Sequence, residues 1–314
     1  MSYAYAGNYE TGTNAYKAEF VDYMRKKAPS GPEKGYNSAA GYMLPEATHS
    51  AFSKAICRKN PFRRIATVKA AYGNGYTIHA KFNDDYADWV QEGGNIPIYD
   101  GIDDFTELAV GSHKLCSFTK LSEEFAHDAS FDIEEYLVDR FSGNFARSEE
   151  AAFVNGNGTD RPTGILHATA GAQTGLTSER STAVTFNEII SLFFTVKPEY
   201  RTGAVWLMND ETATALRLLK DGDGQYIWNH TNDTILGRPI IISNAMPSME
   251  AGNKPIAFGD FSYYWIVDRK PIHISTLTEK FALNGQIAYL AKEFLDGKLV
   301  RREAIKVIQM KAAE

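Results

Sequence analysis

Aromatic and apolar residues near the start of the chain recur at helical spacing. Tyr16, Phe20, Tyr23 and Met24 lie three and four positions apart, which predicts a short helix. The surrounding residues 1–40 are polar and small and are interrupted by APSGPEKG. Because such a segment buries little surface on its own chain, we expect an N-terminal arm that is disordered or held down by a neighbouring molecule.

The pattern becomes strand-like after a helix that ends at Asn60-Pro61. Residues 41–66 predict a strand end, this helix and the entry into a strand. Further on, GYTIHAKF alternates between apolar and polar positions as a half-buried strand does, and FTELAVGSHKLCSFTKLS is a second extended run. Residues 67–119 are therefore predicted to be two strands joined by a long excursion, which should project and pack on something else.

The excursion is strongly acidic. Between Lys81 and Glu107 it has eight acidic residues and one basic residue, the acids being Asp84, Asp85, Asp88, Glu92, Asp100, Asp103, Asp104 and Glu107. A segment with this charge suits a basic partner surface and disfavours contact with its own copies. A solvated acidic loop without a partner is the alternative interpretation.

The longest predicted helix covers residues 130–154, with Ser130 as its predicted N-cap. Gly143 inside this helix indicates a bend or a close contact. The helix runs into GNGTDRPTG, which we interpret as a joint where glycines with positive φ end the helix and a proline stiffens the exit. The predicted hinge residues are Gly156, Gly158, Pro162 and Gly164.

Helix and strand patterns alternate after this joint. TFNEIISLFFTV begins with a Thr185/Glu188 capping box and NDETATALRLLKDGDG is a second capped helix, whereas AVWLM and GRPIIIS are apolar strands. This alternation predicts an α/β layer. The last third is rich in strands, and Asp296-Gly297 is a hairpin signal between two of them.

Composition narrows the function classes. A net charge of −6 and a pI of about 5.7 argue against general nucleic-acid binding, which needs a surplus of Lys and Arg on some face. Cys57 and Cys116 are too few for a disulfide framework or a closed zinc site, so we expect free thiols in a reducing compartment. The sequence shows no signal peptide and no run of about 18 apolar residues, which predicts a cytosolic protein.

The sequence lacks the patterns that organise catalysis or cofactor binding. The glycines of GNGTDRPTG follow a helix and lack both the G-x-G-x-x-G spacing and the Lys-Ser/Thr of phosphate loops. DGDGQY departs from a calcium loop, because Gln225, Tyr226 and Asn232 occupy ligand and glycine positions. His113 and Cys116 have no second ligand pair, and there is no G-x-S-x-G or H-E-x-x-H motif. We predict no catalytic, cofactor-binding or metal site and no enzymatic activity.

Four stretches occur in a characteristic order. They are ADWVQEGGNIP, the run from KLCSFTKLSEEFAHD through the long helix to NGNGTDRPTGIL, ILGRPIIISNAMP, and IAFGDFSYYWIVDR. In this order the chain from Gly41 onward resembles the major capsid proteins of tailed bacteriophages of the Hong Kong 97 type. The resemblance implies a mixed α+β fold with an N-terminal arm, an extended β-hairpin loop, a peripheral domain with a long spine helix, and an axial α/β domain.

Domain boundaries follow from the same resemblance. It implies an N-terminal arm at 1–40, the start of the peripheral domain at 41–66, the extended loop at 67–119, the spine helix at 120–158, the axial domain at 159–255, peripheral strands at 256–303, and a C-terminal segment at 304–314.

The function implied by the resemblance is that of a shell subunit. Copies of the chain would assemble into hexamers and pentamers of an icosahedral head in the host cytoplasm and enclose double-stranded DNA without sequence-specific binding. Further implied partners are a portal protein, a scaffold or maturation protease, and a decoration protein. We expect the acidic excursion to meet basic groups of a neighbour, with intersubunit contacts at Trp89, Glu92, Asp103, Asp104, Arg63, Arg64, Arg301 and Arg302. An encapsulin-type nanocompartment shell and a hydrolase with an unrecognised site remain open alternatives.

Overall fold

A computed structural model describes most of the chain, namely residues 12–25, 36–37, 41–71, 76–81, 89–95, 105–128, 130–220, 224, 226, 228, 233–277 and 279–313. Within these residues there are eight α-helices: α1 Asn14–Met24, α2 Glu46–Lys59, α3 Pro61–Ile65, α4 Glu123–His127, α5 Ile133–Asn155, α6 Phe186–Thr195, α7 Pro198–Arg201 and α8 Asp210–Arg217. Short 3₁₀ turns lie at Phe261–Tyr263, Glu279–Asn284 and Arg302–Ala304.

The strands of the described residues form two six-stranded sheets and one two-stranded ribbon. They are β1 Tyr36–Asn37, β2 Gly41–Met43, β3 Thr67–Ala70, β4 Tyr76–Lys81, β5 Phe105–Val110, β6 His113–Ser122, β7 Gln173–Thr177, β8 Val205–Met208, β9 Thr234–Ile235, β10 Arg238–Ile242, β11 Ile256–Gly259, β12 Tyr264–Leu277, β13 Gln286–Leu299 and β14 Ile305–Gln309.

The first sheet is built on the long antiparallel pair β12–β13. Its order is β1-β2-β12-β13-β6, and β3 joins β12 in parallel. The helices α1, α2 and α5 cover one face of this sheet, where Phe52, Phe141 and Phe145 form the centre of an apolar core with Ile274 and Ile287. The 23-residue α5 is the longest helix of the described residues, as predicted.

The second sheet has the order β7-β14-β11-β8-β10-β9. Its apolar strand β8 carries Trp206, which packs on Phe258 of β11 with ring centroids 4.1 Å apart. Helix α6 begins with the predicted capping box: the Thr185 hydroxyl accepts from the backbone N–H of Glu188, whose carboxylate accepts from the backbone N–H of Thr185. The predicted α/β layer and its capped helices are therefore confirmed.

The helix of the N-terminal arm packs on its own chain, contrary to the sequence-based expectation. Phe20 and Met24 are buried in the first core, and the Tyr289 hydroxyl donates to the carbonyl oxygen of Met24 over 2.8 Å. The Arg25 guanidinium donates to the carbonyl oxygen of Phe131 over 2.9 Å. The expectation was wrong for residues 14–25 because their apolar stripe meets a groove formed by α5 and the first sheet.

Two sequence signals for the ends of helices have other roles in the structure. Helix α2 ends at Asn60 as predicted, but Pro61 is the first residue of the additional helix α3, where its missing N–H costs nothing. The N-cap of α5 is Asp132, whose side chain accepts from the backbone N–H of Glu135, whereas Ser130 bonds Asp128 instead. Asp132 thus has the capping role that was predicted for Ser130.

Asp296-Gly297 is not a hairpin turn but lies inside the continuous strand β13. The pair Asp296-Gly297 is typical of a hairpin turn in sequence, but here packing inside the strand accounts for both residues. Gly297 leaves space for the buried ring of Tyr264, whose hydroxyl would lie 2.5 Å from a Cβ at this position. The Asp296 carboxylate is buried and accepts from the backbone N–H of Gly111 over 2.6 Å.

A third apolar core joins the two sheets. Ile266 and Leu295 from the first sheet pack in one cluster with Leu207, Ala257 and Val307 from the second. Strands β11 and β14 both belong to the second sheet, so its strands extend beyond the boundary at residue 255 that the resemblance implies. The shared core connects the two sheets.

Candidate intersubunit surfaces

The base of the ribbon β4–β5 contacts the first sheet. Its strands pair in the register Tyr76↔Val110 to Lys81↔Phe105. At the root, Leu108 and Val110 pack near Ala71 and Val267. The Lys298 ammonium contacts the carbonyl oxygen of Ala109, and Asp296 accepts from Gly111 as described above. These contacts hold the base of the predicted excursion at a fixed place on β13.

The excursion exposes an aromatic side chain. Trp89 is fully exposed, with a relative accessibility of 103%, and Val90 beside it is 40% exposed. Glu92 is exposed in the turn that follows. Asp103 and Asp104, two further predicted contact residues, lie outside the described residues. Trp89 and Glu92 thus present an apolar group and a negative charge on the same short segment.

A second exposed surface was not singled out by the sequence analysis. On β6, which is the edge strand of the first sheet, Phe118 is exposed and its ring lies 5.7 Å from that of Phe281. The ammonium groups of Lys120 and Lys280 lie 5.4 and 5.9 Å from the centre of the Phe281 ring. Together with the fully exposed Leu283 these residues form the Phe118 patch. Alternation of exposed and half-buried positions along β6 is the sequence signal that points to it.

The predicted basic contact residues differ in their surroundings. Arg64 is exposed. Arg301 is half-buried, and its Nη1 donates to the Tyr200 hydroxyl over 2.6 Å. Arg302 is exposed, although its Nε donates to the carbonyl oxygen of Gly171 over 2.9 Å. Arg64 and Arg302 therefore remain proposals for intersubunit contacts, and Arg301 is engaged within its own subunit.

Arg63 is buried and belongs to the subunit interior. Its Nη2 lies 2.7 Å from Glu149 Oε1, 3.0 Å from Asp268 Oδ1 and 3.3 Å from Glu293 Oε1. Burial opposes the charge of the guanidinium, but the carboxylates of Asp268 and Glu149 outweigh it and raise the pKa of Arg63 well above its usual value. Arg63 is therefore withdrawn as an intersubunit contact, because its donors are used to join α3, α5, β12 and β13.

One carboxyl of this cluster has a raised pKa. Glu293 is buried, and its Oε2 has no hydrogen-bond partner. Burial raises its pKa well above the usual value, and the negative charge of Glu149 adds to this, although Arg63 opposes it. With three carboxyls facing one guanidinium, protonation of Glu293 reduces the excess negative charge in the interior.

The glycine turn after α5 is tightly packed. Gly158 has the predicted positive φ of 71°, but Gly156 ends the helix with φ of −67°. A Cβ at Gly156 would overlap the carbonyl oxygen of Pro162, and one at Gly164 would overlap the backbone of Gly156 and Val154. Both glycines are thus required by close backbone approach, and the predicted hinge residues lie in a fixed connection between α5 and the second sheet.

Candidate metal clusters and membrane-spanning helices were sought among the described residues. No group of three or more His, Cys, Asp or Glu side chains in these ranges could hold a metal ion. None of the helices in the same ranges has both the length and the hydropathy to cross a membrane. The features described above are exposed apolar and charged surfaces.

Solved structures of known proteins identify the class of protein. The capsid of an empty GTA particle is similar with a TM-score of 0.71 and 27% identity, over 81% of this chain and 90% of that chain. The capsid of a native GTA particle is similar with a TM-score of 0.65 and 25% identity, over 90% of this chain and 96% of that chain. The fold is therefore that of a capsid shell protein of the Hong Kong 97 type.

The family assignment is equally direct. The family model described as the phage capsid family matches residues 40–310, so the chain belongs to this family. The capsid polyprotein of Pseudomonas phage PAJU2 is 25% identical over 232 residues, which are 71% of this chain. The chain spans 32% of the length of that curated relative.

Proposed function

We propose that copies of this chain assemble into the hexamers and pentamers of an icosahedral shell that encloses double-stranded DNA. The observation that carries the proposal is the fully exposed Trp89 in the acidic excursion. Tryptophan is enriched at protein–protein interfaces, so we interpret the exposed Trp89 as a contact for another molecule. In a shell built of identical chains, that molecule is the adjacent copy.

The Phe118 patch is the proposed receiving surface on the adjacent copy. It combines apolar rings with the ammonium groups of Lys120 and Lys280, which complement both Trp89 and the acidic charge around it. Lysine also hinders pairing of the exposed edge strand β6 with other strands, so the surface is suited to a side-chain contact. Arg64 and Arg302 are proposed as further cationic contacts of the excursion.

Variants at Trp89 test the proposal. Trp89→Ser should prevent or strongly reduce particle formation, and Trp89→Phe should retain it, since Phe keeps an apolar ring. Both variants should unfold at the wild-type temperature before assembly, because the side chain is fully exposed. Negative-stain electron microscopy and sedimentation velocity would measure the particles. Normal particles from Trp89→Ser would contradict the proposed contact.

A charge exchange tests the receiving surface. Glu92→Lys and Lys120→Glu should each lower particle yield at low ionic strength, and the double variant should restore it. High salt should reduce the differences, because exposed charges are screened. Reversal of Asp103 and Asp104 to Lys gives a second measurement on the same segment. Unchanged assembly and unchanged salt dependence in all these variants would exclude an electrostatic role for the excursion.

The content of the particles distinguishes a genome container from an encapsulin-type nanocompartment. We propose DNA as the content. A subunit with a net negative charge binds the negatively charged DNA only weakly, which suits packaging and release. Nuclease treatment of purified particles followed by DNA extraction should yield protected double-stranded DNA. A stoichiometric protein cargo without protected DNA would support the nanocompartment instead.

The subunit acts through contacts in this proposal, and no catalytic step is assigned to it. The proposed partners beyond its own copies are a portal protein, a scaffold or maturation protease and a decoration protein, with assembly in the bacterial cytoplasm. Mass spectrometry of particles purified from the source would identify them.

A further inference from the structure

Two buried carboxyls, Glu149 of α5 and Glu293 of β13, meet between the long helix and the first sheet. Their side chains are 0% and 4% exposed. Glu149 accepts two hydrogen bonds from Arg63 and one from the side-chain amide of Asn60 over 3.1 Å, so both of its oxygens are engaged. Glu293 Oε1 lies 3.3 Å from Arg63 Nη2, and Oε2 has no hydrogen-bond partner among the described residues. Glu293 is therefore the less satisfied of the two carboxyls.

A proton on Glu293 changes how these two carboxyls interact. Burial raises the pKa of Glu293 most, the negative charge of Glu149 comes next, and a hydrogen bond with Glu149 acts in the same direction. The protonated carboxyl can donate this hydrogen bond and so joins β13 to α5. Without the proton, two buried carboxylates repel each other and the unpartnered oxygen needs water.

The other titratable groups around the pair do not relieve this repulsion. Asp268 of β12 brings a third carboxyl to the cluster, 3.0 Å from Arg63. On α2, burial lowers the pKa of His49 and raises the pKa of Cys57, so the protein interior opposes a charge on both. Arg63 already shares its donors among the three carboxyls. Ionisation of Glu293 thus adds a negative charge where negative charge is already in excess.

A cavity lies beside the pair and gives water a route to it. Its volume is about 180 Å³, and it is lined by Glu149 and Ala152 of α5 and by Leu115 and Leu295 of the first sheet. Leu115 is the register partner of Glu293, which places the cavity next to the carboxyl pair. The charged or titratable groups that also line it are His113, Lys114, Asp160 and Arg161. A cavity with this volume and polar wall has room for water.

We propose that the proton on Glu293 is a latch that holds α5 against β13, and that its loss loosens this contact and admits water from the cavity. The inference concerns the single subunit and does not depend on the proposed shell function. Glu149 stays fixed by Arg63 and Asn60, so the contact with Glu293 is the one that opens. The raised pKa of Glu293 sets the direction: the latch is closed below the ordinary glutamate value and opens as the pH rises towards the folded value.

Hydrogen exchange of the unassembled subunit, followed by mass spectrometry, tests the latch. The exchange rate of α5 amides at residues 146–155 is compared between wild type and Glu293→Gln, which keeps the size of the side chain and removes its titration. Intrinsic exchange chemistry cancels because both proteins are measured at the same pH. Between about pH 5 and pH 8, the wild type should become faster than the variant by up to about tenfold per pH unit. Glu135→Gln changes an exposed carboxyl of the same helix and should follow the wild type.

Three results would overturn the latch. The first is a ratio of the two rates that does not change with pH. The second is α5 exchange that low concentrations of urea accelerate, because a local opening exposes little surface and only unfolding of the whole subunit depends strongly on urea. If Glu293→Gln does not fold, the wild type alone is compared with an unstructured peptide of residues 146–155. A relative exchange rate that stays constant with pH is the third such result, and a rising one supports the latch.

Discussion

Arg63 and Glu149 form a two-point ion pair in the interior of the subunit. Nε and Nη2 of Arg63 each donate to one carboxylate oxygen of Glu149 over 2.7 Å. Glu149 lies on α5 and Arg63 on α3, so this pair fixes the long helix to the segment that leads into β3. Bidentate pairs of this kind are directional as well as strong.

Arg63→Ala should destabilise the subunit by about 3–5 kcal/mol, because three buried or half-buried carboxyls lose their shared cation. Arg64→Ala is the matched control, since the neighbouring arginine is exposed, and its effect should stay within about 0.5 kcal/mol. Chemical denaturation of both variants in the same oligomeric state measures the difference. Equal stability of the two would show that the ion pair contributes nothing.

Glu293 should make stability depend on pH in a defined direction. Because burial raises its pKa in the folded state, the folded chain binds more protons than the unfolded chain above the ordinary glutamate pKa. The stability contribution is present below that ordinary pKa and is lost as the pH rises towards the raised folded value. Within this window the slope approaches about 1.4 kcal/mol per pH unit for one proton.

Glu293→Gln removes this titration and keeps the size of the side chain. The difference in unfolding free energy between wild type and variant should therefore change with pH in favour of the variant as the pH rises. Denaturation curves at several pH values give this difference. A difference independent of pH would mean that Glu293 titrates normally in the folded protein.

The capping box was predicted correctly from a local pattern, whereas the burial of Arg63 depends on contacts with distant residues. The capping box of Thr185 and Glu188 was predictable because both partners lie in one helical turn. The burial of Arg63 was not, because its partners Glu149, Asp268 and Glu293 are 86, 205 and 230 positions away. An arginine beside a second arginine has the sequence appearance of a basic surface cluster, and nothing nearby indicates otherwise.

The same contrast between local and distant residues applies to the candidate surfaces. Trp89 and Glu92 were named as candidate contacts because they lie in ADWVQEGGNIP, one of the stretches that carry the resemblance, and Glu92 also belongs to the acidic excursion. The Phe118 patch was missed because Phe118 and Phe281 come from segments far apart in the chain.

The arm helix should stabilise the subunit before assembly. Phe20 is buried against the first core, so Phe20→Ala should cost about 3–5 kcal/mol in the unassembled protein. Glu19→Ala on the exposed side of the same helix is the control and should change stability little. Circular dichroism during denaturation at low protein concentration measures both. If Phe20→Ala acted only on assembled particles, α1 would instead be held by a neighbouring copy.

Two glycines predict opposite effects of one substitution. At Gly297, an added Cβ would lie 2.5 Å from the Tyr264 hydroxyl, which donates to the carbonyl oxygen of Thr163 over 2.7 Å. Gly297→Ala should therefore displace the ring, weaken this hydrogen bond and cost about 1–3 kcal/mol. At Gly143 in α5, an added Cβ would make an ordinary contact of 3.5 Å with the Lys59 ammonium.

Gly143→Ala should accordingly stabilise the subunit by up to about 1 kcal/mol, because alanine is the better helix former and no atom must move. Thermal unfolding of both variants beside the wild type measures the two signs in one experiment. A lower unfolding temperature for Gly143→Ala would show that the added methyl group disturbs the hydrogen bonds of Lys59 to Asp139 and Ser142. An unchanged unfolding temperature for Gly297→Ala would show that β13 can shift to make room beside Tyr264, and that the strand tolerates a side chain at this position.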